Sequence, residues 1–275
     1  MSIKVAIQGG RASFHEEATY KYFGEEDVEI VECVTFKDTC DLLKGKKVDY
    51  VVMAIENSLA GSILPNYNLL RDYRFHIVGE VALNIQQNLL ALPGTQIEDI
   101  QYVESHPIAL SQCSDFLEGY PHITVKEGVD TAMCAQKVAE EKLVNTAAIA
   151  SLSAAKLFGL EVIEKRIETH KKNTTRFLVL KDEVVEIENA NKASISFQTG
   201  HAVGSLAAVL QCFAEENVNL SKIQSMPVLG RRNEYEFYVD VDWKKQSDYD
   251  AAIRKALKHT AHFSIMGEYI KNNRA

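Results

Sequence analysis

Asn173-Thr174-Thr175-Arg176-Phe177-Leu178-Val179-Leu180 sets an amide, two hydroxyls and a guanidinium directly against an apolar run that Lys181-Asp182 closes. The run reads as a short buried strand, so the polar residues before it sit at a strand end rather than on a drifting loop. In α/β proteins that is where sites gather. Taken alone, the octapeptide also fits a structural role in which Arg176 caps a nearby helix and Thr175 favours extended backbone.

Other segments repeat the arrangement. An apolar strand over 48–55 runs into Glu56-Asn57-Ser58-Leu59-Ala60-Gly61-Ser62, a dense polar cluster at the point where the chain leaves the sheet, although an ordinary loop is also rich in Asn, Ser and Gly. A strand over 100–103 is followed by Glu104-Ser105-His106-Pro107 and a helix over 108–117 carrying Gln112 and Cys113. His106 alone fits a helix cap as well as a base, and no second His or acid stands at metal-ligand spacing. A strand over 3–7 ends in Gln8-Gly9-Gly10-Arg11-Ala12, after which Ser13 opens an amphipathic helix through Tyr20 with Glu16 three residues past the cap. That glycine turn can hold an anion on its backbone amides, but it lacks the spacing of a dinucleotide fingerprint or a Walker loop.

Between these lie strands over 28–33, 75–81, 84–92, 123–125 and 147–149, and helices over 36–43 (begun by Thr35), 64–71, 131–141 and 153–158 (ended by Gly159), after which the chain returns through 162–167 to the opening stretch. Alternating strands and helices predict a parallel sheet. Residues 183–191 are polar without motif or period and read as a connector. Beyond it, strands over 193–198, 220–225, 235–241 and 263–269 and helices over 204–215 and 249–258 follow the order βαββαβ, which predicts a ferredoxin-like α+β domain.

Composition excludes several classes. A chain of 275 residues is ample for a large core and suggests two domains. The net charge of −8, with no Lys/Arg-rich block, argues against nucleic acid, so an anionic small molecule would need a locally positive pocket. The five cysteines, an odd number without C-x-x-C spacing, predict buried thiols in a reduced, cytoplasmic protein. With no apolar run of membrane-spanning length, the reading is of a chain neither exported nor inserted.

Taken together the clusters resemble prephenate dehydratases carrying a C-terminal ACT domain. Ile55-Glu56-Asn57-Ser58 with Gly61-Ser62 is similar to the family's I-E-N-S-x-x-G-S, Ser105-His106-Pro107 with Gln112-Cys113 to S-H-P…Q-C, Asp130-Thr131-Ala132 to D-T-A, and Asn173-x-Thr175-Arg176-Phe177 to N-x-T-R-F. Gly204-Ser205-Leu206 with Val209-Leu210 resembles the ACT motif G-A-L-x-x-V-L, and Asn219-Leu220-Ser221-Lys222-Ile223 resembles N-L-T-K-I. Four departures stand out. Gly9-Gly10-Arg11-Ala12 replaces G-P-x-G and adds a positive charge, Ala60 and Thr169 stand where acids are common, and Gln224-Ser225-Met226-Pro227 replaces E-S-R-P.

The resemblance implies a two-lobed α/β dehydratase domain of periplasmic-binding-protein type over residues 1–182. Its second lobe spans about 84–164, a linker covers 183–191, and an ACT domain covers 192–275. It implies conversion of prephenate to phenylpyruvate without cofactor or metal, with arogenate dehydratase as the enzymatic alternative and a two-lobed binding or sensing protein as the non-enzymatic one. The residues it assigns to catalysis are Thr175, Asn57, Gln112 and Glu56, with Thr175 as the hydroxyl donor to the departing oxygen. Those assigned to the substrate are Ser58, Gly61, Ser62, Ser105, His106, Asn173, Arg176 and Phe177, Arg176 acting as the carboxylate clamp. Gly204, Ser205, Leu206, Asn219 and Leu220 are implied to receive phenylalanine in a homodimer or homotetramer.

Overall fold

The structure, a computed structural model, describes residues 2–228 and 230–272. The predicted end of the C-terminal domain at residue 275 lies outside them. In chain order the elements are β1 (Ile3–Gln8), α1 (Phe14–Phe23), β2 (Val28–Cys33), α2 (Phe36–Lys44), β3 (Tyr50–Asn57), β4 (Gly61–Ser62), α3 (Leu64–Tyr73), β5 (His76–Asn84) and β6 (Asn88–Ala91). There follow β7 (Tyr102–Ser105), α4 (Pro107–Gln112), α5 (Ser114–Glu118), β8 (Thr124–Glu127), α6 (Thr131–Glu140), β9 (Thr146–Ala150), α7 (Leu152–Phe158), β10 (Glu161–Glu164) and β11 (Thr174–Lys181). The rest is β12 (Lys192–Gln198), α8 (Ser205–Glu215), β13 (Asn219–Pro227), β14 (Tyr235–Asp242), α9 (Gln246–Ala256) and β15 (His262–Tyr269).

The helix starts follow local chemistry. Ser13 accepts from the Glu16 amide, Thr35 and Asp38 form a reciprocal capping box, and Asp130 accepts from the amides of Ala132 and Met133 at the head of α6. His106 caps α4, whose first residue is Pro107, where the missing N–H costs nothing. The helix predicted over 108–117 is broken at Cys113 into α4 and α5.

The strands form three sheets, in the orders β2-β1-β3-β11-β5 with β4 paired to β3, β10-β6-β9-β7-β8, and β13-β14-β12-β15. The first two sheets are mixed rather than parallel, and the third is antiparallel throughout. β1 runs parallel to β2 and β3, and β7 to β8 and β9, but β6 is antiparallel to both β9 and β10. The physical reason is connectivity: α4, α5 and α6 join β7 to β8 and β8 to β9 and return the chain in the same direction, whereas no α-helix lies between β6 and β7.

Alternation along the second sheet separates two cores. Leu90, Ala148 and Ala150 pack with α6 and α7, whereas Leu89, Ala91, Ala147 and Ile149 pack with the residues of α4. The third sheet has the ferredoxin-like order and buries Ala193, Ile195, Phe197, Val239 and Val241 against Val209, Phe213 and Ala252 of its two helices.

By tertiary contacts the chain divides into two compact units. Of the described residues, one unit takes those up to Leu69 with Val81–Phe177; the other takes Leu70–Glu80 with those from Leu178 onward. Within the second unit, Glu80 accepts two bonds from Lys192 at 3.0 and 2.8 Å, both side chains being almost fully buried. Gly267 is dictated by a close approach there, since a Cβ added to it would stand 2.0 Å from the Ile77 carbonyl oxygen.

Candidate active site

The ends of β3 and β11, the head of α4 and the loop after β4 meet the head of α1 and the head of α6 around a cavity of about 520 Å³, all within the first unit. Its wall includes Asn57, Gly61, Ser62, His106, Gln112, Thr175 and Phe177 from the sequence-derived set. Asn57 is the hub. Its Nδ2 donates to Asn173 Oδ1 at 2.7 Å and to Thr175 Oγ1 at 3.0 Å, while its Oδ1 accepts from the amides of Leu59 and Ala60, both at 2.9 Å. Gln112 closes the ring, donating to Asn57 Oδ1 at 3.4 Å and accepting from Asn173 Nδ2 at 2.8 Å.

Because Thr175 Oγ1 receives the Asn57 proton, its own hydroxyl proton is left to donate elsewhere. A donor that is itself hydrogen-bonded is polarised and strengthened. The wall therefore holds an oriented hydroxyl donor with no ionised group behind it.

Other sequence-derived residues support this ring from outside the cavity. Asn173 is fully buried beneath it. Ser105 is also buried, with its Oγ spent on the Ile149 carbonyl at 2.7 Å. Ser58 clamps the Thr174 strand end, its amide donating to the Thr174 carbonyl at 2.8 Å and its Oγ accepting from the Thr174 amide at 2.9 Å. Glu56 and Arg176 stand apart from the cavity wall. Thr175 and Phe177 share one face of β11, so Arg176 between them points the other way, and its Nη1 meets Glu56 Oε1 at 3.1 Å.

The wall also contains groups outside the sequence-derived set. Asp130 is its one acid, and no lysine or arginine occurs among the described lining residues. Burial raises the Asp130 carboxyl pKa, opposed by the amides it caps and by His106. Gly9, in the left-handed region at φ 97°, lets the first loop press on this acid, since a Cβ there would lie 2.9 Å from Asp130 Oδ2. Burial lowers the His106 pKa, with Asp130 and Glu127 opposing. His15 reaches the wall from the head of α1, packed edge-on to Phe177 with ring centres 5.0 Å apart and tilted on Phe36 at 5.4 Å. Burial holds it neutral, with its pKa lowered to about 3. Gln87 is 3 % exposed, and its Oε1 is shut off without a hydrogen-bond donor. The Asp130-Thr131-Ala132 motif pointed to the acid; nothing in the local pattern marks His15 or Gln87.

In the second unit Gly204 adopts the left-handed conformation at φ 83° as the cap of α8, Ser205 Oγ donates to the Gly200 carbonyl at 2.7 Å, and Leu206 and Leu220 pack on the core. Asn219 donates to Asp242 Oδ2 at 3.0 Å. All five cysteines are free and buried, and among the described residues no helix is long and apolar enough to cross a membrane and no cluster suits a metal ion.

Residues 5–185 match the family model described as prephenate dehydratase. Among curated proteins, the chain is 38% identical to arogenate dehydratase/prephenate dehydratase 2, chloroplastic, of Arabidopsis thaliana, over 97% of this chain and 72% of that one. It is 31% identical to the bifunctional chorismate mutase/prephenate dehydratase of Escherichia coli K12, over 99% of this chain and 72% of that one. Among solved structures, the prephenate dehydratase of Arthrobacter aurescens in complex with L-Phe superposes with a TM-score of 0.87 at 25% identity, over 98% of this chain and 90% of that one. With a strand-end hydroxyl, its amide ring and these likenesses in agreement, the chain belongs to the prephenate dehydratase family.

Proposed function

We propose that this protein eliminates carbon dioxide and water from prephenate to give phenylpyruvate, as a carbon–oxygen lyase of phenylalanine biosynthesis. The observation that carries the reading is the Thr175 hydroxyl, which accepts from Asn57 at 3.0 Å and so keeps its own proton to donate, on a residue that lines the cavity. In the reaction the bond from the ring to its carboxylate breaks and the freed electron pair enters the ring. The carbon–oxygen bond on the opposite ring carbon breaks, and the departing hydroxide takes up a proton to leave as water. Aromatisation supplies the drive, so the protein has to orient the ring and stabilise the charge that grows on the leaving oxygen. Thr175 meets that charge, and Asn57, Asn173 and Gln112 keep it aimed. Spectroscopic detection of phenylpyruvate from prephenate tests the reading; a folded protein with no turnover would sink it.

A second substrate is favoured by one feature of the wall. Arogenate replaces the keto group of prephenate with an ammonium, and Asp130 is an acid able to meet it in a wall without lysine or arginine. Side-by-side turnover of both substrates decides which is preferred.

For regulation, the reading places phenylalanine against the ferredoxin-like domain, which acts as an ACT domain in a homodimer or homotetramer. The backbone at Gly204, Ser205 and Leu206 would take its carboxylate, while Asn219 and Leu220 line the opposite side. Gln224 and Met226 remove two charges that could separate one packing of paired domains from another, so inhibition is weaker than in relatives with E-S-R-P. Calorimetric titration with phenylalanine beside a sizing column tests this; no heat at millimolar ligand, or a monomer, would overturn it.

A further inference from the structure

We propose that His15 is a substrate-binding donor: a neutral imidazole whose Nδ1–H holds the ring carboxylate of the substrate, the group that departs as carbon dioxide. The inference rests on the dehydratase reading above.

The tautomer follows from hydrogen bonding. His15 Nε2 accepts the Ala54 backbone N–H at 3.4 Å, and a neutral imidazole that accepts at one nitrogen carries its proton on the other. Nδ1 has no partner among the described residues. Nor is it one of the sealed polar atoms left without one, which are Asn66 Oδ1, Gln87 Oε1, Glu168 Oε1 and Tyr249 Oη. Nδ1 thus keeps some exposure, and the cavity is what His15 lines.

Its position suits a different ring substituent from the one Thr175 meets. His15 lies against Phe177, two residues along β11 from Thr175 on the same face. Thr175, Phe177 and His15 all line the cavity, so one substrate bound there can meet the hydroxyl and the imidazole with different ring substituents.

The chemistry favours a neutral donor here. Decarboxylation removes negative charge from the carboxylate as the carbon–carbon bond breaks, so a cation paired with it would stabilise the ground state more than the transition state. A neutral N–H among Phe36 and Phe177 orients the group without that penalty, in a wall where Arg176 is turned away to Glu56. His15 thus contributes binding and alignment, and Thr175 meets the growing charge.

Two substitutions separate the two nitrogens. In His15→Gln the amide oxygen can replace Nε2 as acceptor for Ala54 N–H, but nothing replaces Nδ1–H; in His15→Asn the amide can replace Nδ1–H. We expect His15→Gln to raise KM for prephenate by roughly 10-fold or more with kcat changed by less than about 3-fold, and His15→Asn to recover most of that loss. An unchanged KM in His15→Gln, or equal impairment of both variants, would overturn the proposal. A second arm needs no turnover. In the full chain labelled with ¹⁵N-histidine, the His15 signals should report the Nδ1–H tautomer, and benzoate, a carboxylate on a six-membered ring, should shift that N–H resonance. The Nε2–H tautomer, or no shift with saturating benzoate, rejects it. If wild type fails to turn over prephenate the dehydratase reading fails, and the benzoate arm still decides the role of His15.

Discussion

The Asn57 ring in the first unit and the Glu80–Lys192 pair in the second are both buried polar assemblies, joining residues 116 and 112 positions apart in sequence. They differ in what they leave open. Glu80 takes two bonds from Lys192 and a third from the Asn272 amide at 3.0 Å, so both charges are enclosed. The Asn57 ring is neutral, and it ends in a hydroxyl that keeps its proton to donate, on a residue that lines the cavity. Closed polar groups hold a fold together, whereas groups left with a spare donor or acceptor are set up for something else to bind.

The largest effect should come from breaking the closed pair. Lys192→Met leaves Glu80 buried without its cation, and we expect a loss of about 3–5 kcal/mol of stability in denaturant titrations. The kcat of the fraction that remains folded should stay near wild type, since neither residue borders the cavity. A comparable fall in kcat with little change in stability would erase the distinction between the two assemblies.

The mirror experiment is Thr175→Val. It keeps the β-branched shape that suits β11 and removes the hydroxyl, so the melting temperature should hold while kcat falls by roughly 10²–10³-fold, equivalent to about 2.7–4 kcal/mol. Retained turnover would show that the open valence of the ring is not used.

A third test uses pH. The folded pKa of His15, lowered to about 3, lies below its ordinary value of 6.5, so below pH 6.5 the unfolded chain takes up a proton that the folded chain refuses. The stabilising contribution is complete above pH 6.5 and falls as pH drops toward 3, by about 1.4 kcal/mol per unit. Glu17 and Asp130, whose pKa values burial raises, act with the opposite sign, and His106 and His76, both lowered by burial, act with the same sign. Subtracting the profile of His15→Gln from that of wild type cancels these four and leaves the His15 slope. Parallel profiles would mean that His15 is protonated inside the fold.

Much of this was legible in the sequence. The caps at Ser13 and Thr35 and the βαββαβ order follow from local pattern, and Asn57, Gln112, Asn173 and Thr175 from the motifs that carry them. Orientation was harder to read. That Arg176 turns away from the cavity follows from the alternation of β11 only once Thr175 is known to face inward. The mixed sheets depend on which strands lack a crossover helix between them. Both His15 and Gln87 are set by contacts with distant elements: β3 and β11 surround His15, and the Gln87 amide donates to Glu168 Oε2 at 2.9 Å. No spacing rule encodes these contacts.

The smallest expected effect concerns Gln87 and cuts most finely into the comparison. Its backbone is closed, with the amide on Glu168 and the carbonyl accepting from Ile167 N at 2.8 Å, while its side-chain oxygen is buried without a donor. An unmet buried acceptor costs about 1–3 kcal/mol. Gln87→Met keeps the length and volume and removes that oxygen, so the variant should be more stable by about 1 kcal/mol, or about 2–4 °C in melting temperature for a chain of this size. If the oxygen, sealed as the protein stands, is uncovered when substrate binds and takes a donor from it, the gain in stability comes with a rise in KM. A variant that is more stable with unchanged KM would make Gln87 an imperfection of packing. One less stable than wild type would show that the oxygen is satisfied in solution, and the division between closed and open polar groups would then fall between Gln87 and Asn57 rather than between the two units.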